Sequence, residues 1–525
     1  GEQVHTAQQS DLLALIEQRG MARTGYRKTL PWLLIILVYL VYVNFWPREK
    51  PNNQVGAVIH QAANQENAAL DKVALDAPVL NKVDTKDELE VLEDTTILER
   101  MLDLCNSAKK PIVGMEGTLP DSLVSQYQLK SVYAVMRHGD RTPLRASKLA
   151  QDSSKEIKFW KSRCHDAVGF QRKKVARYYN GVDDRIQIKS LGDNANVGHP
   201  LSHATSVCDY GQLTNAGVEQ FLKLGNFFQD IYINHLKLIQ EEHLHQQVSF
   251  RSTKVRRTQQ SAAAFVFHFL SKFDLKRNIV IVAGEDTWFR DSNDQPRAKC
   301  GKMNEIWKES KKEKGIIHKL REIESVLDEL APLFNKSRIQ MGNIKKIADD
   351  FITRVCHETE LPCGPKGCLS KHQLAKVIRS LNLVSETEYE PIAPLALYPL
   401  LKRIQEDMHK IVTNSSNKVK FSLMVGHDST IAPLLYSLKI HNEKWPRYAA
   451  RVVFELWQST ATKSEYFIRV LYDGKVVTSK LEFCTSSDNK VDVSQLCPYN
   501  SFKDYMNNNV LIKKYGQNYQ KICQG

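Results

Sequence analysis

The chain has 525 residues, 42% of them hydrophobic and 25% charged, with a formal net charge of +14. That length allows a large core and more than one domain, and the composition excludes a fibrous or wholly disordered protein. The diffuse basic excess favours anionic partners such as phosphorylated substrates, acidic glycans or membrane surfaces; nucleic acid is set aside, because neither zinc-finger spacing nor a dense Lys/Arg stripe with interleaved aromatics occurs.

The first predicted element is an anchor. Leu30 to Trp46 reads LPWLLIILVYLVYVNFW and carries no charge, which suits a short membrane span. Trp32, Tyr42, Phe45 and Trp46 sit near its ends, as interfacial aromatics do. Arg19, Arg23, Arg27 and Lys28 precede it, while Arg48 and Lys50 follow with Glu49 between. This bias predicts residues 1–29 as a cytosolic tail and the remainder as lumenal, a single-pass type II topology. No small-residue cleavage site follows the apolar run, so the segment reads as a retained signal anchor. No function is attached to residues 1–20, which precede Met21.

Residues 47–104 are polar and read as a stem, with a short helix expected near 86–104. All ten cysteines lie beyond the anchor, from Cys105 to Cys523. An even number there predicts disulfides in an oxidising compartment, with the pairing left open. Asn335-Lys-Ser and Asn414-Ser-Ser are glycosylation sequons usable on that side.

The globular part is expected over 105–525, as an α/β fold with a central, largely parallel sheet. Three short apolar runs each end in polar residues of catalytic type. They are Ser131–Met136 before Arg137-His-Gly-Asp-Arg, Val248–Phe250 before Arg251-Ser-Thr, and Phe421–Val425 before Gly426-His-Asp-Ser. In parallel sheets ligands bind past the carboxyl ends of strands, so all three clusters should meet at one edge. A long interval, about 286–401, is rich in Lys, Glu, Leu and Ile in its middle and predicts a mostly helical cap. Arg451–Trp457 and Glu465–Tyr472 read as paired strands, and Asp473-Gly474 as a hairpin turn.

These residue types suit phosphoryl transfer. The ester dianion spreads charge over its oxygens, and catalysis is mostly positioning and electrostatic stabilisation. Arg137, Arg141 and Arg251 offer planar forks for phosphate. His138 is the candidate nucleophile, kept neutral by like charge around it. Gly139 is expected to let the backbone approach the ligand. Asp428 is the candidate proton donor to the leaving group, with His427 as a further phosphate contact. No carboxylate cluster suits magnesium or a zinc pair, so neither metal nor cofactor is expected.

The motifs resemble those of the histidine acid phosphatases. MRHGDRTP at 136–143, Gly211-Gln-Leu-Thr-Asn-Ala-Gly217 with Gln220, RSTKVRRTQQSA at 251–262 and GHDST at 426–430 carry the resemblance, which covers roughly 130–475. It implies the histidine phosphatase fold, a phosphohistidine on His138, acid catalysis by Asp428, and a phosphate pocket of Arg137, Arg141, Arg251 and His427. Lys254 or Arg256 stands where the family often has an acidic residue, which makes the rim more basic. WPRYAARVVFELWQ at 445–458, LYDGKVVTSKLEFC at 471–484 and LPCGPKGC at 361–368, together with the anchor, are similar to a Golgi branch of the family. That branch removes phosphate from xylose in the glycosaminoglycan–protein linkage region. The resemblance therefore implies a phosphorylated glycan on proteoglycan core proteins as substrate, the Golgi membrane as location, and glycosyltransferases as candidate partners. Two rival readings stand beside it: a broad acid or inositol phosphate phosphatase, and a non-catalytic membrane protein that binds acidic glycans.

Overall fold

The computed structural model describes residues 99, 101–107, 111–145, 149, 153–163, 170–190, 208–275, 279–284, 300–415, 419–442, 444–485, 495–509 and 511–523. The expected anchor at 30–46 and most of the expected stem lie outside the described residues. Among the described residues no helix is long and apolar enough to cross a membrane. The described residues all belong to one compact unit, Lys86–Gly525.

Its centre is β1, Tyr127–Arg137, whose residues from Ser131 onward are all buried. Such a strand needs apolar residues on both faces. Val132, Ala134 and Met136 enter one core, and Tyr133 and Val135 enter the other. In chain order there follow α1 (Ser153–Ser162), α2 (Phe170–Gly181), β2 (Ile186–Ser190), α3 (Asn215–Phe228), β3 (Val248–Ser252), α4 (Arg256–Phe269) and β4 (Ile279–Ala283). Then come α5 (Gly301–Ser310), α6 (Lys314–Leu330), α7 (Ile344–Cys356), α8 (Lys371–Glu388) and α9 (Ala393–Val412). The last elements used below are β5 (Phe421–Gly426), α10 (Asp428–Ser437), β6 (Arg451–Ser459), β7 (Tyr466–Tyr472), β8 (Lys475–Val476) and β9 (Cys497–Pro498).

The strands form one nine-stranded sheet in the order β8-β7-β6-β1-β5-β3-β4-β2, with β9 beside β7. From β1 through β5, β3 and β4 to β2 every pairing is parallel. From β1 through β6 and β7 to β8 and β9 every pairing is antiparallel. The sheet is therefore mixed, not largely parallel. The expected C-terminal hairpin is present, with Asp473 and Gly474 at φ 47° and 83° in its turn, and it extends the sheet beyond β6, the strand that runs antiparallel to β1. Helices α3 and α4 cover one face, and α9 and α10 cover the other.

The interval expected to form the cap divides in two. Helices α5 and α9 pack on the sheet through Met303, Leu395, Leu397, Leu400 and Ile404. The cap core is built from α6, α7 and α8. On α6, Ile316, Ile323, Val326, Leu327 and Leu330 are buried, the three-and-four spacing of an amphipathic helix. This core also takes in Met101, Leu104, Trp445 and Tyr448, so residues just before Cys105 belong to the globule. Disulfides join Cys105 to Cys356, Cys300 to Cys523, Cys363 to Cys368 and Cys484 to Cys497, and Cys208 is also disulfide-bonded.

One backbone crossing fixes how the chain leaves β1. A Cβ on Gly139 would lie 2.6 Å from the Gly217 carbonyl oxygen, and one on Gly217 would overlap the Asp140 carbonyl. Gly139 thus serves the close approach of α3. Gly217→Ala is expected to destabilise the protein by about 1–3 kcal/mol through overpacking. Gly315→Ala, at a helical site with nothing within 4 Å, should be neutral or stabilising by up to about 1 kcal/mol, as paired thermal melts would read.

Candidate active site

Parallel pairing of β1 with β5 sets Arg137 opposite Gly426, and β3 sets Ser252 opposite Val425. The three expected clusters therefore leave one sheet edge side by side. His138 N–H donates to the Gly426 carbonyl at 2.9 Å, and Ala449 N–H donates to the His138 carbonyl at 3.0 Å. Gly139 N–H donates to Ser261 Oγ at 3.1 Å, and Asp140 N–H to Gln220 Oε1 at 2.8 Å. Thr214 caps α3, accepting from Gly217 N–H, and its hydroxyl bonds the Asp140 carboxylate. The family-like residues Thr214, Gly217 and Gln220 thus hold the turn after β1.

His138 is buried. Its Nδ1 lies 2.8 Å from the Gly139 carbonyl oxygen. A carbonyl only accepts, so Nδ1 carries the proton and Nε2 keeps its lone pair. Burial, and then the charges of Arg257, Arg137 and Arg141 with His427 after them, hold its pKa well below the usual histidine value. The ring stays neutral into the acid range.

The guanidiniums of Arg137 and Arg141 are fixed at their outer nitrogens. Arg137 Nη1 donates to the Pro446 carbonyl at 2.5 Å, and its Nη2 pairs with Asp428 Oδ2 at 3.0 Å. Arg141 Nη1 donates to the Thr142 carbonyl at 3.1 Å, and its Nη2 pairs with Asp349. The Nε of each is buried without a hydrogen-bond partner among the described residues. The buried Nε–H of each is thereby among the donors left to an incoming anion. The buried Tyr448 ring lies under Arg137 at 4.4 Å and near Arg141 at 6.0 Å, a cation–π support for both.

Asp428 opens α10, where the helix N-terminus favours negative charge. Burial pushes its carboxyl up, but Arg137, Arg141 and His427 outweigh that and hold it below its ordinary value. His427 precedes it, with Nε2 3.0 Å from Thr253 Oγ1 and Nδ1 3.3 Å from Arg257 Nη2. Arginine only donates, so Nδ1 accepts and Nε2–H donates to Thr253. Burial and the Arg257 charge keep this ring neutral too.

Arg251 stands within β3. It pairs with Met424 and Val282 inside β3, half-buried on the face opposite Phe250. Arg257, which sequence reading does not single out, is buried in the first turn of α4 and leads the cations that act on His138. Thr258 holds that turn by donating to the Val255 carbonyl at 2.7 Å. Tyr448, Thr253 and Asp349 are further site residues that sequence reading misses. Asn335 and Asn414 stand elsewhere, exposed with positive φ of 51° and 52°. Among the described residues no group of three or more His, Cys, Asp or Glu could hold a metal ion.

Removing one arginine should separate the two assignments. Arg257→Ala is expected to lower kcat/KM on an aryl phosphate by about 10²–10³-fold, the scale of losing one preorganised donor to a transition-state oxyanion. Arg251→Ala should leave it within about threefold, as substitutions away from a site do. The opposite ranking would restore Arg251 to the pocket.

The pattern of the histidine phosphatase superfamily (branch 2) matches residues 128–350 and 372–473. The chain is similar to 2-phosphoxylose phosphatase 1 of Mus musculus, 28% identical over 442 residues that cover 80% of this chain and 85% of that protein. The Homo sapiens protein of that name is 28% identical over 440 residues, with the same shares covered. Among solved structures, Hafnia alvei phytase in complex with tartrate superposes with a TM-score of 0.46 at 13% identity, over 74% of this chain and 97% of that one. The two matched spans make up well over half of the chain and hold His138, Arg257, His427 and Asp428, and the chain accordingly belongs to the histidine phosphatase superfamily, branch 2, as a phosphoric monoester hydrolase.

Proposed function

We propose that the chain removes the 2-phosphate from xylose in the glycosaminoglycan–protein linkage region, through a phosphohistidine on His138. The observation that carries the chemistry is the neutral His138, with Nε2 unprotonated, set among Arg137, Arg141 and Arg257 beside Asp428. The arginines hold the phosphoryl oxygens and take up their charge. The His138 Nε2 lone pair forms the P–N bond as the P–O bond to the sugar breaks, and the leaving alkoxide takes a proton from Asp428. A water then attacks phosphorus and returns a proton to Asp428. The P–N bond breaks, releasing phosphate and restoring His138.

One proton must enter the site with the substrate. In the free site Asp428 is ionised and paired with Arg137. A phosphate dianion competes for that guanidinium and raises the carboxyl pKa, or the monoanionic ester brings the proton itself. Since a phosphate ester loses its second proton near pH 6, activity falls as pH rises through about that range.

The sugar assignment is supported by similarity to the 2-phosphoxylose phosphatases over 80% of the chain, a span that reaches beyond the catalytic motifs. A glycan-bearing secretory protein fits the Golgi membrane as location. The charge-free run Leu30–Trp46 supports a type II anchor, and the disulfides and the exposed Asn335 and Asn414 support a lumenal domain.

Two experiments test this reading. Asp428→Asn should cost far more on sugar phosphates than on aryl phosphates, because only the poor alkoxide needs the proton; equal losses on both would remove Asp428 from that role. Specificity constants should be compared on a phosphoxylose linkage oligosaccharide, free xylose 2-phosphate and an inositol phosphate. The oligosaccharide is expected to win, and a better inositol phosphate or free sugar would overturn the glycan assignment while leaving the phosphatase in place.

A further inference from the structure

Three elements of the sheet layer position the reacting groups, yet one of the phosphate-binding arginines is held by the cap. Asp349 lies on α7. One of its oxygens pairs with Arg141 Nη2, and the other accepts Leu144 N–H at 3.0 Å. A single carboxylate thus fastens both the guanidinium and the backbone three residues further along the same loop. The same helix and its C-cap reach that loop and α1 at other points. His357 Nε2 lies 2.8 Å from Asp140 Oδ2, and Arg354 pairs with Glu156 at 3.0 Å and with Asp350 at 2.9 Å. Cys356, the last residue of α7, is disulfide-bonded to Cys105, and Gln220 Nε2 donates to the Cys105 carbonyl at 2.8 Å.

We propose that Asp349 is a positioning residue for the phosphate site, orienting Arg141 so that its Nε–H is left for the ester oxygens, and that the cap thereby sets the affinity of the pocket for phosphate. The argument is one of donor accounting. Arg141 Nη1 and Nη2 each give one N–H, to the Thr142 carbonyl and to Asp349, and these two ties fix the plane of the guanidinium, while the buried Nε–H has no partner among the described residues. Arg137 is held in the same pattern by Pro446 and Asp428. But Asp428 must gain and lose a proton during turnover, whereas Asp349 takes no part in the chemistry and can hold its guanidinium throughout. A guanidinium released from such an anchor samples other rotamers, and the ester must then order it on binding. Asp349 also offsets part of the Arg141 charge. Its removal makes the potential at Asp428 more positive and stabilises the carboxylate there, so the general acid loses its proton at lower pH.

The inference rests on the phosphatase reading of the site but not on the identity of the sugar, so an aryl phosphate is the substrate of choice. In the full chain, Asp349→Asn is expected to raise KM and the inhibition constant of orthophosphate about tenfold, the scale of losing one charge-assisted hydrogen bond. Turnover at saturation should change by less than about threefold, as for an interaction made alike in ground and transition states. The alkaline limb of the pH profile should move to lower pH. Asp349→Glu, which keeps the charge, should recover part of the phosphate affinity. In an Arg141→Lys background Asp349→Asn should add little to the inhibition constant, because the two act through one contact. An inhibition constant does not depend on how much protein is folded, so it separates positioning from a merely structural role. Unchanged phosphate inhibition and an unchanged pH limb in Asp349→Asn would overturn the proposal, whatever happened to its melting temperature. So would full additivity with Arg141→Lys.

Discussion

A slip of one residue between β1 and β5 would turn His138 and Asp428 toward opposite faces of the sheet, because successive strand side chains alternate. The pairing of Arg137 with Gly426 is therefore the constraint from which the active site follows. It is secured from both sides. On one side, His138 N–H bonds the Gly426 carbonyl; on the other, Arg137 N–H bonds the Ala450 carbonyl at 2.9 Å. Beneath the antiparallel half lie two fully buried ion pairs, Arg451 with Glu116 at 2.5 Å and Arg469 with Glu455 at 3.2 Å. Tyr232 and Trp457 donate to the same Glu455 at 2.7 Å and 3.0 Å. Buried pairs of this kind add little net stability, but breaking one is costly. Their geometry suits them to fix which strand lies beside β1 and in what register.

With the register set, the electrostatics of the site become a matter of where each guanidinium is tied. Three arginines around one imidazole would repel one another, and burial raises that cost. The site offsets it with Asp428, Asp349, the Pro446 and Thr142 carbonyls and the Tyr448 ring. These partners hold the arginines at their outer nitrogens. A phosphate dianion entering the remaining space meets oriented donors and needs no reorganisation, which is the condition for large electrostatic stabilisation. The same cations keep His138 neutral, so preparing the oxyanion site and preparing the nucleophile are one arrangement.

The parts of the site carried by contiguous residues were legible in the sequence. His138, Arg137, Arg141, His427 and Asp428 all stand within a few residues of an apolar run that had to be a buried strand. Arg257, whose charge acts most on His138, was not singled out in the sequence for a physical reason. Arg251 directly follows the apolar residues of its run, but the strand continues through Ser252, which leaves Arg251 in the ladder. The residue that reaches His427 comes in the first turn of the following helix. The signal for it was available: Thr253 and Thr258 flank a turn that must satisfy its own backbone, and an arginine in the first turn of a strand-following helix lies where anions bind. Tyr448 and Asp349 had no such local signal, since each reaches the site only through tertiary packing. The mixed sheet was half visible. Asp473-Gly474 and its flanking strands marked a hairpin, but nothing local said that the preceding strand, β6, pairs with β1.

The cap is usually the part of such an enzyme from which opening and closing would be expected. Here its helix α7 is joined to the sheet layer through the Cys105–Cys356 disulfide, through Arg354 and Glu156, and through Asp349 and Arg141. Its core also runs on without a break into Trp445 and Tyr448, the latter packed against the catalytic arginines. Swinging α7 away as a rigid lid would break the anchor of a phosphate-binding residue at the moment it is needed. Substrate selection must then come from the shape of a pocket that stands already formed, and from the rim around it. On the proposed reading, a phosphate carried as a substituent on one sugar can enter such a pocket without the rest of the molecule being enclosed. Within the cap, α7 is thus tied to the groups around His138 through Arg141 and Asp140, and a change in its position would be felt in the site itself.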